Sequence, residues 1–202
     1  MPIPGNWVEE LALEWLLLRG YIAIPNVRLK SGKGGGTKEA DVLGLKLVRD
    51  EKEALEIVHV ETGSLAQSFE KNLRDVKNKF SLERIKTIRD ISLDVVELES
   101  VVSKAVVDVS RIGTSVIRYK PIYIASYVPR RQIDKLKEEL KKDSIEFLTL
   151  EEVLREIVMD IKEWKQNQVR KGLRVTTGIT LPESWWLLNL IDFMKNKDLI
   201  KV

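Results

Sequence analysis

Two acidic side chains and one histidine are placed close together by a predicted pair of strands. Residues 40–48 (ADVLGLKLV) and 55–62 (LEIVHVET) have strand-like composition, and a short charged stretch joins them as a hairpin. Asp41 lies at the start of the first strand and Glu61 near the end of the second, so antiparallel pairing brings them together. The period of two places His59 and Glu61 on one face of the second strand.

Two neighbouring carboxylates repel unless one is protonated or a cation bridges them. A Mg²⁺ (or Mn²⁺) ion held by Asp41 and Glu61 would remove this repulsion, activate a water and stabilise charge on a phosphodiester. The chain has no cysteine and one histidine, which excludes thiolate and poly-histidine metal sites. Two plainer interpretations stay open: the carboxylates are only solvated, or His59 is a half-buried strand residue with a hydrogen bond.

Composition limits the class of protein further. The chain has 202 residues, of which 44% are hydrophobic, enough for one domain with its own core. With 34 Lys+Arg against 31 Asp+Glu, the net charge of +3 is too small to indicate nucleic acid by itself. No stretch approaches the ~20 apolar residues of a membrane span, so we expect a cytoplasmic protein with no membrane partner. Abundant charge without cysteine is also typical of thermophiles.

The rest of the pattern predicts an α/β protein. Asn6 and Glu9 form a capping box at the start of a helix over residues 7–19. Residues 81–119 fit a helix or strands, and we predict a helix. The other predicted elements are an extended segment at 21–29, a helix at 64–80, a strand at 121–128, a helix at 130–142, a strand at 145–148, a helix at 150–169 and a last helix at about 181–196. This order implies a mixed central sheet with helices on its faces.

Basic residues offer candidate phosphate contacts. The glycine-rich loop at 31–38 (SGKGGGTK) runs into a strand and lacks the P-loop spacing, so a nucleotide site is not expected. It is a connection or a contact to a nucleic-acid backbone through Lys30, Lys33 and Lys38. Arg130 opens a helix of mixed charge, which favours a solvated face, with phosphate binding as the alternative.

The last predicted helix is apolar on almost every side. Such a helix is either deeply buried or pairs with another chain, and we favour a homodimer interface or a docking surface. Its apolar residues are Trp185, Trp186, Leu187, Leu188, Leu190, Ile191, Phe193 and Met194.

The succession of motifs from residue 6 to about 155 resembles the PD-(D/E)XK nuclease superfamily, in particular archaeal Holliday-junction resolvases and Mrr-like restriction enzymes. Glu9 and Glu10 precede the Gly20-Tyr21 pair by eleven and ten residues, as the first-helix glutamate of that family does. Asp41, in EADVLGL after a glycine-rich loop, matches the motif aspartate. The segments PIYIASYV, the charged helix and IEFLTLEEV are similar to the later strand, helix and strand of the core.

The resemblance departs from the family at the third motif, which should end in lysine. Either Glu61-Thr62-Gly63 is the triplet, with glycine in place of lysine, or His59-Val60-Glu61 is, with glutamate in that place. Lys71 on the next helix lies opposite the apolar stripe and is expected to face solvent. Weakened or absent nuclease activity follows as an expectation.

The resemblance implies a restriction-endonuclease-like α/β core over residues 1–155, with an insert at about 81–119, and a C-terminal helical extension over 156–202. It implies Mg²⁺-dependent hydrolysis of DNA, with Asp41 and Glu61 as metal ligands. His59 would line the site, Glu9 or Glu10 would orient it, and Lys38 would contact phosphate. The alternative is an inactive nuclease fold that serves as a DNA-binding or assembly module. A third interpretation is an unrelated α/β protein in which Asp41 and Glu61 lie far apart.

Overall fold

The structure is a computed structural model that describes residues 6–29, 38–49, 53–102, 116–170 and 181–200. Within these ranges, one helix is followed by three strands, two helices, a strand, a helix, a strand and two final helices. The helices are α1 (Trp7–Leu18), α2 (Phe69–Lys79), α3 (Leu82–Val102), α4 (Arg130–Lys141), α5 (Leu150–Arg170) and α6 (Trp186–Asn196). The strands are β1 (Ile22–Leu29), β2 (Lys38–Arg49), β3 (Glu53–Ser64), β4 (Val116–Tyr127) and β5 (Glu146–Thr149).

The strands form one five-stranded mixed sheet in the order β1-β2-β3-β4-β5. The first three strands are an antiparallel meander, and β4 and β5 are added in parallel to β3 and β4. The chain returns through α2 and α3 before β4, and through α4 before β5, as parallel pairing requires. The predicted mixed sheet flanked by helices is therefore confirmed.

Helices cover both faces of the sheet. On one face, α1, α5 and α6 pack on the even-numbered residues of the central strands, among them Val58, Val60 and Ile122. On the other face, Ile88 of α3 packs near Ile57, and α2 and α4 pack around Tyr123. This second face is the one that carries His59 and Glu61, because side chains alternate along β3.

Several element boundaries differ from the prediction. β3 continues to Ser64, and α2 begins five residues later with the Ser68 hydroxyl as its N-cap. The helix predicted over residues 81–119 is right for α3, but wrong for residues 116–119. These residues belong to β4, since their backbone pairs with β3 from Ala54 onward. Residues 103–115 lie outside the described residues.

The C-terminal helices pack on the same core as α1. The proposed boundary between core and extension, at residue 155, falls inside α5. Glu14 of α1 is buried, and its two carboxylate oxygens accept the backbone N–H groups of Leu187 (3.3 Å) and Leu188 (2.9 Å) at the start of α6. This carboxylate caps and anchors α6 on α1. None of the helices in the described ranges is long and apolar enough to cross a membrane.

Candidate active site

The site lies where β2 and β3 part. Their antiparallel pairing ends at Val42 and Val60, and Asp41 is the next residue outward on β2. The Oδ2 atom of Asp41 accepts the backbone N–H of Thr62 at 2.7 Å and its hydroxyl at 3.1 Å. The same register places Asp41 opposite Glu61, so the two acids are neighbours rather than far apart.

Glu61 is fully buried, and both of its carboxylate oxygens are engaged. Oε1 accepts from His59 Nε2 at 2.9 Å and from Arg84 at 2.8 Å, while Oε2 accepts from Lys79 Nζ at 2.7 Å. Burial by itself would raise the pKa of Glu61, but the His59 hydrogen bond and the charges of the two cations outweigh burial and lower it. Glu61 is therefore an ionised carboxylate inside the protein.

His59 holds Glu61 in place as a neutral ring. Burial lowers the pKa of this histidine, and its Nδ1 lies 2.6 Å from the hydroxyl of Tyr119. Burial and the charge of Glu61 raise the pKa of Tyr119, so the phenol keeps its proton. Tyr119 then donates to Nδ1 and His59 donates from Nε2 to Glu61, with the ring edge-on to Phe80 at 4.9 Å. Both ring nitrogens are occupied, which makes His59 a positioning group for Glu61.

Arg84 is the buried cation of the site, and it was not among the residues predicted from the sequence. It lies in the first turn of α3, and Ile88, one turn later, is fully buried in the core. The guanidinium is 8% exposed and donates to Glu61 and to the Glu39 carbonyl. Its Nε is the only buried side-chain N or O atom of the described residues without a hydrogen-bond partner. The sequence does carry a signal for Arg84. It precedes Ile88 by four residues and Ile91 by seven, which places it on the apolar side of the helix.

Lys79 is the partly exposed cation of the site, and it was also not among the residues predicted from the sequence. It lies in the last turn of α2, and its side chain is 39% exposed although its ammonium reaches the buried Glu61. Buried Asn72 holds the start of α2 through hydrogen bonds to the Leu65 and Gln67 carbonyls and to Gln132 of α4. Lys79 thus approaches the acids from a well-anchored helix. Lys71 on the same helix is exposed, as predicted.

Gly63 is the last residue of Glu61-Thr62-Gly63, one of the two triplets that the resemblance to the nuclease superfamily leaves open. Parallel pairing sets Tyr123 of β4 beside Glu61 of β3. A Cβ atom added to Gly63 would lie 2.6 Å from the Tyr123 hydroxyl oxygen, far inside van der Waals contact. The space above Gly63 is therefore taken by the Tyr123 hydroxyl, and a lysine cannot be accommodated there while Tyr123 keeps its position.

Asp41 carries an unbalanced negative charge. Burial raises the pKa of Asp41, and the negative charge of Glu61 raises it further, against the hydrogen bonds from Thr62 and the charge of Lys79. Its Oδ1 has no hydrogen-bond or ion-pair partner among the described residues. A cation placed beside Oδ1 would relieve the strain between the two carboxylates.

The other candidate residues lie around this cluster. Glu9 accepts a hydrogen bond from the Asn6 side chain at 2.6 Å, and Glu10 is in the same first turn of α1, which packs on the opposite face of the sheet. Arg130 is exposed at the start of α4. Lys38 is the first residue of β2 and pairs with Leu29. Lys30 and Lys33 lie outside the described residues.

Comparison of the chain with protein-family models, with curated proteins and with solved structures gives no match in any of the three. The functional conclusion therefore depends on the chemistry of the cluster. Its members are two adjacent carboxylates, a buried cation, a partly exposed cation and a neutral histidine that positions one of the acids.

Proposed function

We propose that the chain is a Mg²⁺-dependent (or Mn²⁺-dependent) nuclease of the restriction-endonuclease-like fold that hydrolyses DNA phosphodiester bonds. The observation that carries the proposal is the arrangement of Asp41 and Glu61 at the ends of adjacent strands. One oxygen of Asp41 has no protein partner in the described part of the chain, and one oxygen of Glu61 already binds a cation, the partly exposed ammonium of Lys79. A buried carboxylate next to a half-buried one, with a displaceable cation beside them, is suited to a hard metal ion.

The donor set suits Mg²⁺ better than a metal ion that takes all of its ligands from protein side chains. The described ranges contain no group of three or more Asp, Glu, His or Cys side chains that could hold a metal. Mg²⁺ is commonly bound by one or two carboxylates, with waters and substrate phosphate completing the octahedron. When bound between Asp41 and Glu61, the ion would activate a water and neutralise charge on the phosphate.

The surrounding residues supply what such a reaction needs from the protein. Arg84 and His59 hold the Oε1 atom of Glu61, so its Oε2 atom can exchange a lysine for a metal without loss of orientation. Lys79, once displaced from Glu61, is a flexible ammonium that can pair with a phosphate oxygen. This arrangement favours Glu61-Thr62-Gly63 as the motif triplet, with Lys79 supplying the missing positive charge from α2.

The topology and the charges at one edge of the sheet support DNA as the substrate. The chain runs through a helix, a three-stranded meander, two helices and a parallel strand. This is the order that the resemblance implies. Because β3 and β4 are parallel, their C-terminal ends lie at the same edge, and α4 begins there with the exposed Arg130. In this proposal Arg130 contacts a phosphate that flanks the scissile bond.

The test is cleavage of labelled linear, branched and single-stranded DNA with Mg²⁺, with Mn²⁺ and with EDTA. Asp41→Asn removes one metal ligand, and Asp90→Asn is the matched control because Asp90 is exposed on α3. We expect metal-dependent cleavage by the wild type and Asp90→Asn, and none by Asp41→Asn. Cleavage that persists in Asp41→Asn, or that ignores EDTA, contradicts the proposal.

The second candidate is an inactive nuclease fold that binds DNA or assembles with another chain. Two observations favour it: both oxygens of Glu61 are already paired, and α6 leaves an apolar stripe exposed. The stripe consists of Trp186, Leu190 and Phe193, each about half exposed. This candidate predicts DNA binding without cleavage, and a homodimer that Trp186→Ser with Phe193→Ser dissociates in sedimentation experiments.

A further inference from the structure

The hydroxyl of Tyr123 is an unassigned donor beside the two acids. Glu61 and Tyr123 are partners across the parallel β3–β4 pairing, and the Tyr123 oxygen is the nearest atom to the space above Gly63. Tyr123 as a residue is only 5% exposed, and no hydrogen bond joins its hydroxyl to another described residue. This oxygen is not among the fully buried, unpaired side-chain atoms of the described residues, so it borders the solvent and is available as a donor to a bound ligand.

The ring that carries this hydroxyl is held rigidly. It stacks on Phe147 of β5 with the ring planes 4° apart and the centroids at 6.1 Å. Leu65, Val76 and Ala125 pack around it in the same cluster. The hydroxyl therefore keeps a fixed position next to Gly63, which is the preorganisation that a substrate-contacting donor needs.

The hydroxyl also keeps its proton near neutral pH. Burial raises the pKa of Tyr123, and the negative charges of Asp41 and Glu61 raise it further. A phenol in this setting is a neutral hydrogen-bond donor and not a base. Among oxygens that could enter the space beside it, a phosphate oxygen is the best acceptor, since hydrogen bonds to charged groups are the stronger ones.

From this geometry we infer that Tyr123 is a substrate-contacting residue, whose hydroxyl would donate a hydrogen bond to the phosphate group of DNA bound at the proposed metal site of Asp41 and Glu61. The inference deepens the proposed nuclease function and rests on it. Tyr123 and Lys79 together replace the missing motif lysine: Tyr123 gives the positioned donor at Gly63, and Lys79 gives the positive charge. The glycine in the motif is then a consequence of the tyrosine, because the two positions share one space.

The experiment is single-turnover cleavage of the DNA that the wild type cleaves, in the presence of Mg²⁺, by Tyr123→Phe. Phenylalanine keeps the stack on Phe147 and removes only the oxygen. Tyr127→Phe, on the exposed part of the same strand, is the matched control. We expect the cleavage rate to fall about 10- to 100-fold for Tyr123→Phe, the range for a lost hydrogen bond to a charged group. The midpoint of thermal unfolding and the Mg²⁺ concentration at half-maximal rate should stay unchanged, which separates a substrate contact from a structural role.

A second variant tests the shared space directly. Once Tyr123→Phe has removed the hydroxyl, the nearest ring atom to a Cβ at position 63 is Cζ, at 3.6 Å, which is an ordinary van der Waals contact. Gly63→Lys can therefore be combined with Tyr123→Phe. We expect the double variant to cleave faster than Tyr123→Phe alone. A cleavage rate of Tyr123→Phe equal to that of the wild type overturns the inference and leaves the nuclease intact. A wild type without Asp41-dependent cleavage overturns the proposed function, and the inference with it.

Discussion

Replacing Arg84 by methionine tests the central claim about the electrostatics of the site. Arg84→Met keeps a long apolar side chain next to Ile88 but removes one of two cations from a carboxylate that is fully buried. Removing one partner of a buried ion pair costs about 3–5 kcal/mol. Lys79 and His59 still contact Glu61, and the unpaired Nε of Arg84 is removed as well, so we place the loss near the lower end, at about 3 kcal/mol.

For a domain of this size, a loss of about 3 kcal/mol corresponds to a fall of about 6–12 °C in the unfolding midpoint. The pH dependence has a defined sign. The folded pKa of Glu61 is lowered, so its stabilisation is full above the ordinary carboxylate pKa and is lost as pH falls through the folded value. Arg84→Met raises that folded pKa, and the acid-induced loss of stability should therefore begin at a higher pH.

Thermal and urea unfolding at several pH values provide the assay, with Arg89→Met as the control. Arg89 is an exposed arginine on the same helix, and its replacement should change the midpoint little. A double-mutant cycle of Arg84→Met with Glu61→Gln should give a coupling energy of about 1–3 kcal/mol. The role of Arg84 as a counter-charge of Glu61 is refuted if Arg84→Met lowers the unfolding free energy no more than Arg89→Met does. It is also refuted if the losses of Arg84→Met and Glu61→Gln are additive in the double variant.

Three further predictions follow from contacts in the structure. Asp41→Asn should raise the unfolding midpoint at pH 7 in EDTA, and it should also remove metal-dependent cleavage. The reason for the higher midpoint is that burial and the charge of Glu61 raise the folded pKa of Asp41. Ionisation of Asp41 therefore destabilises the fold as pH rises through that pKa. An unchanged midpoint would count against this assignment. Gly63→Ala should destabilise the protein by about 1–3 kcal/mol, because its Cβ meets the Tyr123 hydroxyl at 2.6 Å, and the cost should shrink in Tyr123→Phe. Urea unfolding of the four proteins measures both values, and equal costs in the two backgrounds would contradict the contact. Glu14→Ala should lower the free energy of unfolding by about 2 kcal/mol and speed amide hydrogen exchange in α6, because this carboxylate caps the helix. Unchanged exchange in α6 would show that its apolar contacts alone hold the helix in place.

The pairing of the two acids was predictable from the sequence because it depends on local rules. Alternation along β3 placed His59 and Glu61 on one face. The short hairpin connection folds β2 back along β3, so Asp41 lies beside Glu61 at the end of the two strands away from the turn. The predicted capping of the first helix by Asn6 is likewise a local signal: its side-chain oxygen accepts the backbone N–H of Glu9, and its side-chain amide donates to the Glu9 carboxylate. Each of these features involves residues that are either close in the chain or related by a strand period.

The cations and the tyrosine could not be predicted, because they arrive by tertiary packing. Lys79 and Arg84 follow Glu61 by 18 and 23 residues, with no period that links them to it. Whether they reach Glu61 depends on how α2 and α3 cross the sheet, which the packing of Val76 and Ile88 decides. The first residue of β4 likewise could not be placed without the parallel partner that β3 provides.

The sequence by itself determined the fold class, the hairpin and the two acids, since strand alternation and turn chemistry act over a few residues. Only the tertiary structure decided what those acids contact. The parallel register of β3 and β4 set the Tyr123 hydroxyl above Gly63, and helix packing supplied Arg84 and Lys79 to a carboxylate that would otherwise be buried without a counter-charge. A buried charge needs partners from wherever the fold can bring them, and their distance along the chain does not limit the choice.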